Sequence, residues 1–454
     1  MRLRNDPVLC FEWTAPKSSE LKIVVRHQEK YQRIGRILDQ NPKILALADA
    51  DLKVLSSSNR NGRRAVYTSE NLLRALVVMV VEGLDLRGTV VRIAESPFLQ
   101  DFLRLGNRPV MDFTFLERAF KAIRPETWKA INAVLAGWAR GQKRMDPSHI
   151  RADTTVVQTN IHYPSDATLL WDSWRVLERL LRRGRGLDAA LCPHRFHGRK
   201  VKELFCFITR YSKSRSGKRQ RGVRRRFAKL IARVRWLHAL ATKFCADSLK
   251  HRNFDVQLLA YEVAPHLPRV KQVADVAERA GVKGEKVPAA ERIYSLFEPH
   301  TELICRGKAG KPVEFGHVIR LCQTREKFIT DYDAMERRVR DNELADPMIE
   351  SHKQLFGAAP EVFAADHGFS PAAPKRAALE QKVRTFASPR CLRDWGSRIL
   401  VKWQRFRAGI EGSISVLKRA FGLGRCLFRG FRSFAAAVGM AVVCHNLVLL
   451  AGTG

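Results

Sequence analysis

Residues 405–424 read RFRAGIEGSISVLKRAFGLG. At 100° per residue, Phe406, Ile410, Ile414, Leu417 and Phe421 fall on one apolar stripe, which predicts a helix with a buried face. Arg407, Glu411 and Lys418 fall on an adjacent charged stripe, at offsets of four and seven. Gly409 and Gly412 each cost about 1 kcal/mol of helix propensity relative to alanine, so a bulky group passing close to the helix is one reason to keep them. By itself the charged stripe fits a solvated face with an Arg–Glu pair. A working carboxylate set between cations is the alternative.

The whole chain narrows the choice. Its 454 residues carry 81 Lys and Arg against 45 Asp and Glu, a net charge of +36. Such a field draws polyanions, nucleic acid first and an anionic membrane surface second. The apolar content is too high and too periodic for a disordered basic protein. Nine cysteines include no CxxC pair, which suits reduced, buried thiols in the cytoplasm. Cys192, His194 and His197 have the look of half a zinc site, but no second ligand pair follows at a finger-like spacing. The N-terminus lacks a signal-peptide core. The apolar runs at 72–81 and 434–452 read as buried helices, so no membrane span is expected.

Along the chain, residues 1–40 read as irregular before a first helix. Helices follow from Ser69, a plausible N-cap, with Gly83 as a stop and a break near Pro125. This helical unit, 1–145, has helix-turn-helix character, which serves a DNA groove or plain packing. A β-branched run begins near Ile150, and a long helix starts at about Ser165. Residues 165–290 are mainly helical, and between Arg195 and Arg235 they hold sixteen Lys or Arg against one Glu. That block reads as a DNA-facing helical pair making salt-sensitive phosphate contacts, or as a solvated face. Strand texture returns in TELICRG, VEFGHVIRLCQ and KFITDYDA, followed by a helix at about 343–357 and the strand PEVFAAD. The last segment is basic again, with fifteen Lys or Arg against three acids from Lys375 to Arg432.

Two carboxylates stand where short strands are expected to run out, Asp153 in IRADTTVVQT and Asp366 in PEVFAADHGF. With Glu411 they form a set of three acids in basic surroundings. Divalent metal neutralises such a set, and two ions about 3.5–4 Å apart activate the attacking and leaving oxygens of phosphoryl transfer. Mg²⁺ or Mn²⁺ suits carboxylate oxygens.

The flanking residues make the set specific. Arg407, three residues, Glu411, six residues, Lys418 resembles the signature around the catalytic glutamate of DDE transposases of the IS4/IS5 superfamily. ADHGF resembles their box around the second aspartate. ADTTVVQTNIHYPSDATLLWDS resembles the first-aspartate box of the branch with an NIHYPTD-like run, and FEPHTELICRGKAGKPVEFGHVIRL its following strand pair. The resemblance covers about 145–450. It implies an α/β fold, with an RNase H-like mixed-sheet catalytic core at 146–454. A basic helical insertion interrupts this core at about 165–290, and a helical DNA-binding domain at 1–145 precedes it.

The same resemblance implies that Asp153, Asp366 and Glu411 bind Mg²⁺ and catalyse, while Arg407 and Lys418 hold DNA phosphate. The signature's tyrosine is Gln404 here, which offers a hydrogen bond but no aromatic face; Trp403 or Phe406 is left to supply stacking. The implied activity is cleavage at terminal inverted repeats and strand transfer into target DNA, by a homodimer or larger synaptic complex. A Mg²⁺-dependent nuclease of the same fold and a repressor-like DNA-binding protein with a silent site are the rivals. His162 and Asp166 read as loop-fixing, and His445 and Asn446 as packing. Gly368 reads as a position needing a special backbone or a close approach.

Overall fold

Amphipathic periodicity sets the first elements in place. The computed structural model describes residues 21–55, 66–308, 311–388 and 397–452; Cys10, Cys391 and Asp394 lie outside them. Helix α1 (Lys22–Gln40) occupies much of the stretch expected to be irregular. Its buried Tyr31, Ile34, Ile37 and Leu38 recur at threes and fours, but charged neighbours dilute the pattern. Next come α2 (Pro42–Leu52) and α3 (Ser69–Val81). The N-cap of α3 is Thr68, one residue before Ser69; its hydroxyl accepts from the Asn71 amide, and the Asn71 side chain accepts in return. Gly83, at φ +64°, follows the end of α3. Then come α4 (Leu86–Ala94), α5 (Pro97–Phe102), α6 (Phe113–Ala122) and α7 (Pro125–Gly141), with Pro125 opening α7.

Strand β1 (His149–Thr159) leads to α8 (Asp166–Leu187), α9 (Gly198–Tyr211), α10 (Gly217–Ser248), α11 (Phe254–Val263) and α12 (Leu267–Ala277). Strands β2 (Glu302–Lys308), β3 (Lys311–Thr324) and β4 (Ile329–Ala334) precede α13 (Ala345–Phe356). The chain closes with β5 (Val362–Ala364), α14 (Ala373–Lys382), β6 (Thr385–Ala387), α15 (Ser397–Ala420), β7 (Arg425–Cys426) and α16 (Phe431–Gly452).

Two compact units result, one joining the chain up to Asn160 with the chain from His317 onward, the other Ile161–Gly316. The first holds a mixed sheet in the order β4-β3-β1-β5-β6. Strands β1, β5 and β6 run parallel, and β3 runs antiparallel to β4. Strand β5 accompanies β1 only from His149 to Arg151, and β7 joins the same strand only at Gln158 and Thr159. Asp153 therefore sits in the middle of an eleven-residue strand, not at its end as expected. What runs out is its neighbour.

The core of this unit is built on α16, which packs on α1, α3, α7 and β4. By length and composition α16 is apolar enough to cross a membrane, yet most of it is buried in the protein. Its buried Asn446 accepts from the Ile329 amide (3.0 Å) and donates to the Ile329 carbonyl and to Asn132 Oδ1 (both 2.8 Å). One side chain thus ties α16 to β4 and α7.

In the second unit α8 packs against α9, α10, α11 and α12 around Trp174, Leu177, Leu230, Leu237 and Phe244. A Cβ on Gly184 of α8 would meet the Phe244 ring at 2.5 Å, so the glycine admits that ring. Ser165 caps α8 in a reciprocal pair with Thr168. The loop before it is held by His162–Asp172 (3.2 Å) and Asp166–Arg292 (3.0 Å), the fixing role expected for His162 and Asp166. Helix α10 turns Val223, Phe227, Leu230 and Val234 inward and leaves Lys218, Arg221, Arg225 and Lys229 exposed on its other side.

Replacing Asn446 with Ala leaves buried groups of Ile329 and Asn132 without their partner, which costs about 2–4 kcal/mol. The expected result is a lower unfolding midpoint of the first unit in urea, read by hydrogen exchange at β4 and α16.

Candidate active site

At the break in the parallel edge of β1, Asp153 feels the charges of the other two acids. Asp153 is half-buried, and its Oδ1 accepts from the Thr154 amide at 2.7 Å. Burial pushes its carboxyl up to about 6, and the charges of Asp366 and Glu411 add to the rise. The Thr154 amide and the Arg407 guanidinium act against it. Groups from three distant parts of the sequence are thus electrostatic neighbours.

Asp366 stands two residues beyond the end of β5. It is exposed, and its Oδ1 accepts from the His367 amide at 2.7 Å. Behind it, Ala365 donates to the Ala387 carbonyl (3.2 Å), fastening this corner to β6. Gly368 does not fill the role expected of it. Its φ is not positive, and a Cβ there would meet Asp341 at an ordinary contact distance of 3.4 Å.

Asp341 itself carries no motif. Its carboxylate lies against Gly368 and accepts from Thr154 Oγ1 at 3.5 Å, a long contact. Thr154 thus touches Asp153 with its amide and Asp341 with its hydroxyl. A hydroxyl residue directly after the first aspartate is the only sequence hint of this link.

Helix α15 supplies Glu411. Ile410, Leu417 and Phe421 of the apolar stripe are buried, and the helix packs on β1 and β5. The buried Arg151 of β1 reaches into α15, donating through Nη1 to the Phe406 carbonyl (2.9 Å) and through Nε to Gln323 of β3 (2.8 Å). Its guanidinium also covers the Phe406 ring at 5.2 Å. A Cβ on Gly409 would overlap this guanidinium, coming within 2.7 Å of Cζ. Gly409 is therefore required by Arg151. Gly412 has nothing within 4 Å of a built Cβ, so no close approach accounts for it.

On the outer side, Arg407 Nη2 donates to Glu411 Oε1 at 2.9 Å. Lys418 is half-buried further along the helix, and Gln404 is exposed. Trp403 and Phe406 pack against Val362, Ala364 and Ala387, and Trp403 stacks on His149 at 5.9 Å. Both proposed aromatic substitutes are thus engaged in packing.

The donors are all carboxylate oxygens, a set suited to hard divalent ions. Among the described residues, however, no group of three or more His, Cys, Asp or Glu is drawn tightly enough to hold a metal ion. Glu411 is hydrogen-bonded to Arg407, whose cation is the nearby positive charge that Asp153 also senses.

Residues 306–447 match the family described as transposase DDE domain. The matched stretch contains Asp366, Arg407, Glu411 and Lys418, while Asp153 precedes it. The match supports transposase activity and implies DNA as the partner. No curated protein and no solved structure matches the chain.

Two outcomes follow from this geometry. Gly409→Ala forces Arg151 aside and costs roughly 1–3 kcal/mol. In an Arg151→Ala background the same change gains about 1 kcal/mol of helix propensity. Denaturant midpoints of the four variants show whether the sign reverses. For Asp153, the folded value of about 6 lies above the ordinary carboxylate value. Its contribution to stability is therefore present below about pH 4 and lost as pH rises through about 6. Without divalent ions, Asp153→Asn then stabilises the protein at pH 7 by at most about 2–3 kcal/mol and leaves it unchanged at pH 4.

Proposed function

We propose that this chain is a DDE transposase of the IS4/IS5 superfamily. It binds the terminal inverted repeats of its insertion element, cleaves at their 3′ ends, and joins the ends to target DNA. The observation that supports the reading is that Asp153, at the break in the β1 edge, feels the charges of both Asp366 and Glu411, the last two within the stretch matched to a DDE domain. The strand order, with three parallel strands flanked by an antiparallel pair, supports an RNase H-like core.

The residues divide the work. Asp153, Asp366 and Glu411 would hold the divalent ions, Mg²⁺ or Mn²⁺. Bound there, the ions supply hydroxyl activation and neutralise the charge that builds up in phosphoryl transfer. Thr154 orients the Asp153 carboxylate, and Arg151 holds α15 against β1. Arg407 and Lys418 lie on the Glu411 side of the helix and bind DNA phosphate as cations. An arriving phosphate offers Arg407 a second anionic partner, which frees Glu411 to turn toward the aspartates. Gln404 donates a hydrogen bond where the related signature has tyrosine.

Other elements also hold DNA. The exposed cations of α10 make sequence-independent phosphate contacts, and the N-terminal helices, 1–145, bind the element's ends. The protein works in the cytoplasm on nucleoid DNA, as a dimer or larger synaptic complex.

Purified protein, Mg²⁺ and end-bearing DNA test the reading. Cleavage with joining is expected, and Asp153→Asn, Asp366→Asn and Glu411→Gln each lower it by at least about a thousandfold, the scale on which preorganised charge acts. Cleavage without joining identifies a nuclease, and binding alone a silent site. Full cleavage by all three variants would overturn the assignment of the acids.

A further inference from the structure

Helix α11 presents its apolar residues to solvent. Phe254, Leu258 and Tyr261 recur at four and three on its outer side and are 72%, 49% and 67% exposed. Val256, Leu259, Ala260 and Val263 fill the inner side and are buried. Leu249, half-exposed just before the helix, extends the outer face. Scattered apolar residues on a surface need no explanation, but a helical stripe of them does.

The charge around this stripe differs from the rest of the insertion. From Asp247 to Glu262 there are three acids and two bases, against sixteen bases and one acid between Arg195 and Arg235. Such a face offers DNA fewer cations than the basic block does. A second copy of a chain at +36 meets less repulsion here than on the basic block.

We propose that the outer face of α11 is a two-fold contact between two copies of this chain. In such a contact each copy presents the same patch. Antiparallel pairing of α11 with its copy sets Leu258 near the axis. It also brings Lys250 and Arg252 of one copy toward Glu262 of the other, whose carboxylate bonds Arg183 of its own chain at 2.6 Å and can share that charge. Fully presented aromatic side chains offer roughly 150–250 Å² each, so the patch amounts to on the order of 400 Å². That is about half of the ~800 Å² per partner in a standard interface, the size of an apolar centre that a polar rim completes. The contact is therefore reversible, not obligate. The face rests on α11 alone; its use in holding two DNA ends together rests on the transposase reading.

Sedimentation velocity of the full chain without DNA, across micromolar concentrations, tests the contact. The expected result is a monomer–dimer equilibrium that Leu258→Asp weakens at least tenfold while the variant still unfolds cooperatively, its side chain being half outside. As a second measurement, a photo-crosslinking amino acid at position 254 should give a covalent dimer joined within α11 of both copies. A wild-type monomer throughout, or crosslinks only within one chain or to other helices, would overturn the proposal. Cleavage by the wild type on end-bearing DNA is scored separately. A dimer without cleavage keeps the face and removes the transposase reading; cleavage by a strict monomer does the reverse.

Discussion

The site depends on one buried cation. Arg151 leaves β1, bonds Gln323 on β3, and passes over Gly409 to reach the Phe406 carbonyl on α15. Its protein acceptors are neutral, so the guanidinium works as a rigid fork joining two strands and a helix. Burying such a group is tolerable only when its donors are satisfied. That requirement fixes how far α15 stands from the sheet. Glu411, two residues beyond Gly409, is placed by the same contact. Pairing of β1 with β5 sets Asp366 near Asp153, and Arg151 sets the distance at which α15 brings Glu411.

Electrostatics then sets the character of the acids. A half-buried carboxylate with two others nearby resists ionisation, and the rise in Asp153 records this. The fold meets the problem in part with Arg407, which bonds Glu411 and offsets the field at Asp153. An arginine at this place is a countercharge that can be exchanged for another. That makes the arrangement distinct from a structural ion pair, whose partners gain nothing by separating.

Much of this is written in local pattern. The stripe from Phe406 to Phe421 specifies the buried face of α15, and the spacing of Arg407 and Glu411 specifies their bond, because a helix carries periodicity directly into contact. Capping chemistry places the start of α8 at Ser165, and β-branched residues mark β1. Pattern fails where the partner is remote. Nothing near Gly409 reveals that the group needing its space is Arg151, 258 positions earlier. Asp341 lies in an ordinary polar turn, and only folding brings it to Thr154. Gly368 illustrates the opposite error: a glycine beside a working residue invites a steric reading, and the backbone shows no such need. Helix α1 was hidden by its charges, since burial of a narrow stripe suffices to hold a helix whose other faces are solvated.

The uneven spread of charge has a consequence for assembly. A chain at +36 repels its own copy over a distance set by screening, about 8 Å at physiological salt. Within that range, two copies approach most easily where the local field is weak, or where a polyanion cancels it. On the proposed reading the insertion supplies both conditions on separate helices, a basic α10 for DNA and a near-neutral α11 for the second copy. DNA bound by α10 removes repulsion that otherwise opposes pairing through α11. By linkage, pairing must then tighten DNA binding by the same factor. Neither surface needs to be strong alone, because each lowers the cost of using the other.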